Sequence, residues 1–268
     1  MEIIKRSILL QLAIPVIVLL ILSLTFIGFY IPSAMQERTI SQAINSSTQT
    51  IENFKTIRKY YTTNVISKVL KSGTIKPSIH HKDQVNTIPL PATMIHDLSE
   101  QMTNNGMQLK IYSAFPFPGR RNQQLDSFQQ QSWQTLNKSP ETPFIRTEEH
   151  NGRQIVRVAT ADKMTAQTCV DCHNNHPETP KNNWQLGDVR GVLEVSIDIQ
   201  DIIDQGQIDA LKIVTILAFI LIAIVLLMVF KFNRINHRLK DFGSSLTKAT
   251  TGDLTTRANT EGSDEISE

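Results

Sequence analysis

Two long apolar runs limit how this chain can fold. Residues 8–30 and 213–230 contain no Asp, Glu, Lys or Arg, and each is long enough to cross the hydrocarbon core of a bilayer as a helix. A secretory signal is the alternative for the first run, but the run is too long for the apolar region of a signal and no Ala-x-Ala site follows it. A buried core helix is the alternative for the second run, but it would be apolar on every face. We therefore predict transmembrane helices over residues 8–30 and 211–232.

The charges that flank these runs predict their orientation. Basic residues lie before the first run and after the second: Lys5, Arg6, Lys231, Arg234, Arg238 and Lys240. Lys and Arg collect on the cytoplasmic side of membrane helices. We expect a two-pass protein of the bacterial inner membrane, with residues 1–7 as a cytoplasmic N-terminus and residues 31–210 as a domain in the periplasm.

Composition and motifs argue against two classes of function. The formal net charge is only +2, and no basic stripe interleaved with aromatic residues is present, so we expect no nucleic-acid partner. The sequence has no recognisable nucleophile, acid/base pair or phosphate-binding loop. We therefore do not expect an enzyme in this chain, although a kinase could lie downstream of its last residue.

Periodicity predicts the helices of the exported domain. Apolar residues recur at helical spacing over residues 40–69 and 92–102, and a further helix is expected over residues 125–136. Gly73 is expected to end the first of these helices. A polar loop should follow around residues 80–82.

Alternating apolar and polar residues predict the strands. We expect one strand near residues 109–111, a hairpin over residues 144–159 that turns at Asn151-Gly152, and a half-buried strand over residues 193–199. The economical arrangement is an α+β domain of the PAS-like or Cache-like kind, with one mixed antiparallel sheet and helices to one side.

One short motif carries chemistry. Cys169 and Cys172 are separated by two residues and followed at once by His173, which is the attachment pattern of a c-type haem. The two thiols can reach the two vinyl groups on one porphyrin edge, and the adjacent imidazole can bind the iron as the proximal ligand. We therefore predict one covalent haem c per chain, in the compartment where bacteria attach such haems.

Two other interpretations of the motif stay open. A disulfide between Cys169 and Cys172 would suit an oxidising compartment, but it gives no reason for the adjacent His. A zinc site that adds His176 has suitable ligand types, but it lacks the usual long spacer between ligand pairs.

The second axial ligand of the iron is less constrained than the first. Four other exported histidines are candidates: His80, His81, His96 and His150. His96 is preferred, because it lies beside apolar residues in a predicted helix and could point into a pocket. Thioether alternatives are Met94, Met102 and Met107. An iron left open to a gas is equally compatible with the sequence.

The two haem propionates need cationic or hydrogen-bonding partners. The candidates are Arg58, Tyr60, Tyr61, Arg120, Arg157 and Arg190. We take Arg190 as the propionate candidate, although surface solvation is the ordinary role for each of these side chains.

Beyond the second apolar run the sequence resembles a HAMP linker. An apolar seam at coiled-coil spacing consists of Leu239, Phe242, Leu246 and Ala249. Two short motifs follow it, Gly252-Asp253-Leu254 and Asp264-Glu265-Ile266. The resemblance implies a homodimeric four-helix coiled coil, with a first helix over residues 233–250, a connector over residues 251–263 and a second helix from Asp264. A solvated juxtamembrane helix would explain the seam alone. We expect residues 233–268 to be a partial HAMP linker in a fragment or a truncated product.

A set of segments between the two apolar runs resembles a known family. The segments are Tyr60-Tyr61, residues 89–93, Tyr112-Ser113, Pro116-Phe117-Pro118, residues 169–177 and residues 186–195. Over residues 35–199 they look like the periplasmic c-type haem sensor domain, PAS-like in fold, that precedes HAMP linkers in bacterial chemoreceptors and sensor histidine kinases. The resemblance implies haem on Cys169 and Cys172 with His173 on the iron. Some relatives use a Cys as the distal iron ligand, but this chain has no third cysteine.

The resemblance and the topology together predict a dimeric transmembrane receptor that senses redox state or a diatomic gas. We expect the input half of a methyl-accepting chemotaxis protein, with a downstream effector domain and its cytoplasmic partners. Three alternatives remain: the input half of a sensor histidine kinase, a membrane-anchored monohaem cytochrome that transfers electrons, and a Cache-type receptor for a small organic ligand.

Overall fold

The computed structural model of the chain describes residues 8–102, 106–120 and 124–252. The expected cytoplasmic N-terminus at residues 1–7 lies outside the described residues, as do most of the HAMP connector and the second HAMP helix from Asp264. The described chain divides into two compact units, of which one spans residues 34–206 and the other combines the two ends.

The unit built from the chain ends contains the apolar parts of two long helices. Helix α1 is Ile8–Tyr61 and the last helix, α6, is Gln200–Thr250. Each contains an 18-residue window apolar enough to cross a membrane, with mean hydropathies of 2.6 and 3.4, and neither window is buried by the rest of the protein. The protein therefore has two helices that are long and apolar enough to span a membrane, as the sequence predicts.

The helix that leaves the first apolar run ends where the sequence predicts. After α1 the chain makes a π-helical turn at Thr62–Ile66 and continues as α2, Ser67–Ser72. Gly73 then adopts a left-handed φ of +70° and its N–H bonds to the carbonyl of Val69 at 3.3 Å. A glycine at this position ends a helix with little steric cost. The π-helical turn packs against the helix that carries the Cys-x-x-Cys-His motif.

The polar loop predicted around residues 80–82 is confirmed, because these residues lie in turns. Two strands that flank the loop were not predicted: β1 (Lys76–Ser78) and β2 (Thr87–Pro89) pair in parallel as a small separate sheet. Strands of three residues are too short to show a periodic pattern. Helix α3 (Pro91–Met102) follows and confirms the predicted second helix.

The main sheet has four strands, and every pairing in it is antiparallel. The strands are β3 (Met107–Tyr112), β4 (Phe144–His150), β5 (Arg153–Lys163) and β6 (Val189–Asp198), in the order β3-β6-β5-β4. The predicted hairpin is confirmed, because Asn151 and Gly152 have φ of +52° and +73° between β4 and β5, as the tightest hairpin turns require. Helix α4 (Ser127–Lys138) begins at a capping box between Asp126 and Gln129, which fixes its start.

Helices cover both faces of this sheet, so the expectation of helices to one side is wrong. On one face α1 and α3 pack on alternate residues of β3, β5 and β6, including Leu109, Val158 and Val195. On the other face α4 packs on Tyr112, Ala159 and other strand residues. The α+β mixture with a long N-terminal helix is confirmed.

The central part of β6 is also not half-buried. Glu194, whose polar character suggested a solvated face, is only 1% exposed. Arg157 binds it through Nε at 2.8 Å, and Gln129 donates to its other oxygen at 3.2 Å. A paired carboxylate can lie under a helix, which alternation of apolar and polar residues alone does not predict.

Candidate functional site

Helix α5, Gln167–Asn175, places the three motif residues together. Cys169, Cys172 and His173 occupy positions i, i+3 and i+4, which share one face of an α-helix. Both thiols are free. Two free thiols and an imidazole on one helical face suit covalent attachment of a single haem, so the donor set fits this cofactor.

The loop that follows α5 is tied back to it by hydrogen bonds. Asn174 donates from Nδ2 to the carbonyl of Trp184 at 2.9 Å and accepts from the Trp184 N–H, also at 2.9 Å. His176, the extra ligand of the zinc alternative, accepts from the N–H of Glu178 at 3.2 Å. Within the described residues no group of three or more His, Cys, Asp or Glu side chains is placed to hold a metal ion.

His173 lies in a half-buried position beside a cation and an aromatic ring. Arg190 donates from Nε to Nδ1 of His173 at 3.1 Å, and the ring centroid of Phe117 lies 5.5 Å from that of His173. Burial, followed by the charge of Arg190, lowers the pKa of His173 to about 4. The imidazole is therefore neutral at pH 7, which is the form that can bind a metal ion.

Arg190 is itself held from several sides. Its Nη1 donates to Oγ of Ser113 at 2.7 Å, and the same hydroxyl donates to the Arg190 carbonyl at 2.7 Å. The guanidinium carbon lies 5.6 Å from the ring centroid of Phe117 and 5.3 Å from that of Trp184. Burial lowers the pKa of Arg190 to about 10, so the side chain stays charged at pH 7. The structure thus places the predicted propionate candidate against the imidazole of His173.

The two cysteines differ in their surroundings. Cys169 packs against a small cluster of Met164, Val170 and Trp184, and burial raises the pKa of its thiol. Cys172 is more exposed, although burial raises the pKa of its thiol as well. Cys169 is therefore held by packing, whereas Cys172 lies nearer the surface.

His96, the preferred distal candidate, lies on α3. Its Nε2 is buried and has no hydrogen-bond partner among the described residues, and burial, followed by the charge of Arg120, lowers its pKa to about 4. No hydrogen bond or ring contact among the described residues links it to His173. An unpartnered imidazole nitrogen leaves a lone pair or a proton available to a ligand.

The other distal candidates have different surroundings. His81 pairs with Asp97 at 3.1 Å, whereas His80 and His150 are exposed. The thioether candidates Met94, Met102 and Met107 pack against the core between α1, α3 and the sheet.

Sequence patterns did not predict that three further residues lie at the site: Ser113, Phe117 and Trp184. Trp184 is 4% exposed, and its Nε1 has no hydrogen-bond partner among the described residues. A lone Trp in a polar loop is a signal of burial that could have identified it. Ser113 and Phe117 reach the site only because β3 pairs with β6, which their own neighbourhood does not reveal.

One known family profile covers the segment of the chain that contains these residues. No curated protein and no solved structure matches the chain. The profile of the Tll0287-like family matches residues 36–198, which nearly coincide with the compact unit at residues 34–206. This is a family of periplasmic sensor domains that typically bind haem. The matched segment is more than half of the 268 residues, so the chain belongs to the Tll0287-like family.

Proposed function

We propose that the chain is the input part of a transmembrane receptor that senses redox state or a diatomic gas through one covalent haem c. The observation that carries this proposal is the common face of α5 that holds two free thiols and a neutral imidazole. Cys169 and Cys172 would hold the porphyrin, and His173 would bind the iron. When bound, haem would supply an iron centre that changes oxidation state and can accept a small gas.

The connection from the site to the membrane helix supports a receptor. Arg190, which contacts His173, is the second residue of β6, and β6 ends at Asp198 immediately before α6 begins at Gln200. A displacement of His173 would therefore act on the strand that feeds the second apolar helix. It would signal only if the ligand binds two arrangements of the protein with different affinity.

Covalent haem is the first point to test. The full chain would be produced in a bacterium with periplasmic haem-maturation machinery, purified in detergent, and assayed by its pyridine haemochrome spectrum. We expect covalent haem in the wild type. In the double variant with Cys169→Ala and Cys172→Ala, any bound haem should be removed by extraction. Absence of covalent haem from the wild type would end the proposal.

His176, which follows α5, provides a control for the test of His173 as the iron ligand. His173→Ala should change the visible spectrum of the attached haem, because the iron loses an axial ligand. His176→Ala should leave the spectrum as in the wild type. Equal spectra for the two variants would remove His173 as the proximal ligand.

We further propose that the chain forms a homodimer through the seam on α6 and that this seam belongs to a HAMP linker ahead of a chemotaxis effector. Leu239, Phe242 and Leu246 are each 50% exposed, and their spacing suits a coiled coil.

Leu246→Cys should therefore form a disulfide between chains in oxidised membranes. Ser244→Cys lies on the opposite side of the helix and should not. Equal crosslinking at both positions would contradict the dimer seam. The identity of the effector, chemotaxis domain or kinase, requires the downstream sequence.

A membrane-anchored cytochrome is the competing function. Carbon monoxide added to the reduced full chain should shift the Soret band if the iron can accept a gas. An unchanged spectrum would favour a haem that only exchanges electrons.

A further inference from the structure

The indole of Trp184 carries a buried hydrogen-bond donor that lacks an acceptor. Trp184 is 4% exposed, and its Nε1 has no hydrogen-bond partner among the described residues. An indole nitrogen can only donate, and folded proteins seldom leave a buried donor without an acceptor. The protein therefore offers this N–H to an acceptor that is not one of its described residues.

Two cations lie over the same ring. Nζ of Lys181 is 3.9 Å from the ring centroid of Trp184, and the guanidinium carbon of Arg190 is 5.3 Å from it. Cation–π attraction holds both charges there, but neither cation forms an ion pair with a carboxylate in the part of the chain that the structure describes. A buried donor beside two uncompensated positive charges is suited to bind an anion.

The ring is fixed to the helix that carries the motif. Asn174 of α5 binds both the N–H and the carbonyl of Trp184, each at 2.9 Å. Trp184 also belongs to the cluster that contains Val170 of α5 and contacts Cys169. A group attached to α5 would therefore keep a fixed relation to the indole N–H.

We propose that Trp184 and Lys181 bind a propionate of the haem: the indole N–H donates to a carboxylate oxygen, and the ammonium group balances the negative charge. This inference rests on the proposed haem attachment at Cys169 and Cys172. A propionate needs both a donor and a counter-charge when it is partly buried, and this ring supplies the two together. Trp184 and Lys181 are thus added to Arg190 as propionate partners.

Two other acceptors would leave a different signature. Water or a free carboxylate could accept from the same N–H, but neither depends on haem. A propionate is present only when haem is attached. The hydrogen bond at Nε1 of Trp184 should therefore appear with the haem and disappear without it.

Trp184→Phe removes the N–H and keeps an aromatic ring in the cluster. Trp133→Phe is the matched control, because the chain has only two tryptophans and both rings contact Phe115, at centroid distances of 5.6 and 6.1 Å. Trp133 packs instead against the core beneath α4. Resonance Raman spectra of the haem-loaded full chain, excited in the Soret band, contain a propionate bending band. It should shift in Trp184→Phe and keep the wild-type frequency in Trp133→Phe.

The indole N–H can be observed directly in Trp133→Phe, where Trp184 is the remaining tryptophan. Ultraviolet resonance Raman spectra contain an indole band that reports hydrogen bonding at Nε1. We expect a hydrogen-bonded N–H when haem is attached. We expect a free N–H when Cys169→Ala and Cys172→Ala are added and any haem is extracted. This measurement leaves Trp184 intact and serves if Trp184→Phe does not accumulate.

Lys181→Gln should lower the reduction potential of the haem, because loss of a nearby positive charge favours the ferric state. Lys138→Gln removes the same charge from the exposed end of α4 and should leave the potential as in the wild type. Equal potentials for the two variants would remove Lys181 from the site.

Two results would overturn the assignment of Trp184. One is a propionate band at the wild-type frequency in Trp184→Phe. The other is an indole N–H that is equally hydrogen-bonded with and without haem, which would identify water or a free anion as the acceptor. A wild type without covalent haem would instead defeat the proposed function, and the haemochrome spectrum distinguishes that failure from the first two.

Discussion

Arg58 of α1 and Asp162 of β5 form a two-point ion pair beside the motif helix. Nη1 of Arg58 donates to Oδ2 of Asp162 at 2.7 Å, and Nη2 pairs with Oδ1. Asp162 is 6% exposed. The positive charge of Arg58 also acts on the Cys169 thiol. The pair joins the long N-terminal helix to the sheet at the point where the haem would attach.

Asp162→Asn should destabilise the domain strongly, because it leaves the buried guanidinium of Arg58 without a counter-charge. Loss of one partner of a buried pair costs about 3–5 kcal/mol. Urea unfolding of the full chain in detergent can be followed by tryptophan fluorescence, since both tryptophans, Trp133 and Trp184, lie within residues 34–206.

Glu141→Gln is the control for that measurement. Glu141 pairs with Lys163 at the surface, where its side chain is 82% exposed, and exposed pairs contribute little to stability. No measurable change is expected. A stability of Asp162→Asn equal to that of the wild type would mean that water or another group solvates Arg58.

Local features of the sequence predicted the parts of this protein that depend on near neighbours. The motif residues lie within five positions of one another, so a single helix suffices to align them. The hairpin follows from Asn151-Gly152, whose backbone requirement is local. The contact between Arg190 and His173 spans 17 positions and depends on the fold of the intervening loop, which no spacing rule describes.

The burial of Glu194 was missed for a related reason. Its hydrogen-bonding partners lie on β5 and α4, far away in the sequence. The alternation of apolar and polar residues therefore predicted a solvent-exposed side chain at a position that α4 covers. A pattern of apolar residues identifies a face that is buried by hydrophobic contact. It does not identify a face that is buried through ion pairs.

Glu194→Gln should lower the free energy of unfolding by about 1–3 kcal/mol, because it removes a charged hydrogen-bond partner of Arg157. Arg157 is 11% exposed and lies 4.1 Å from the Phe128 ring centroid, and it keeps its ion pair with Asp126 at 2.9 Å. Glu148→Gln should cost less, because Glu148 is 27% exposed and lies 3.4 Å from the guanidinium. Urea unfolding of the two variants checks the order, and a larger loss in Glu148→Gln would contradict the assignment of Glu194 as the main partner.

His96 should make the stability of the protein depend on pH. Burial, followed by the charge of Arg120, lowers its pKa from 6.5 to about 4. Between these pH values the unfolded chain binds a proton at His96 that the folded chain does not, so the free energy of unfolding falls as the pH drops through this window. Above pH 6.5 the contribution is complete, and below about pH 4 it is lost.

Unfolding measured from pH 7 to pH 4 tests this dependence. His96→Gln should reduce the slope in that window, because glutamine does not titrate; His173, whose pKa burial also lowers to about 4, keeps part of the slope. His150→Gln, at an exposed position on β4, should leave the slope as in the wild type. An unchanged slope in His96→Gln would show that other groups carry the pH dependence.

Gly191 should tolerate no side chain, because β3 and β6 approach closely at this position. A Cβ at Gly191 would lie 2.8 Å from the carbonyl oxygen of Tyr112, and a backbone atom cannot move aside as the end of a side chain can. Gly191→Ala should therefore cost about 1–3 kcal/mol through overpacking. Gly119→Ala is the matched control, since its Cβ would lie 3.5 Å from Cδ1 of Ile79, an ordinary contact. The strand that moves in Gly191→Ala also carries Arg190. Under the proposed haem attachment, the variant should therefore disturb the haem spectrum as well as the unfolding curve. Loss of stability without any spectral change would mean that β3 yields and β6 keeps its place beside His173.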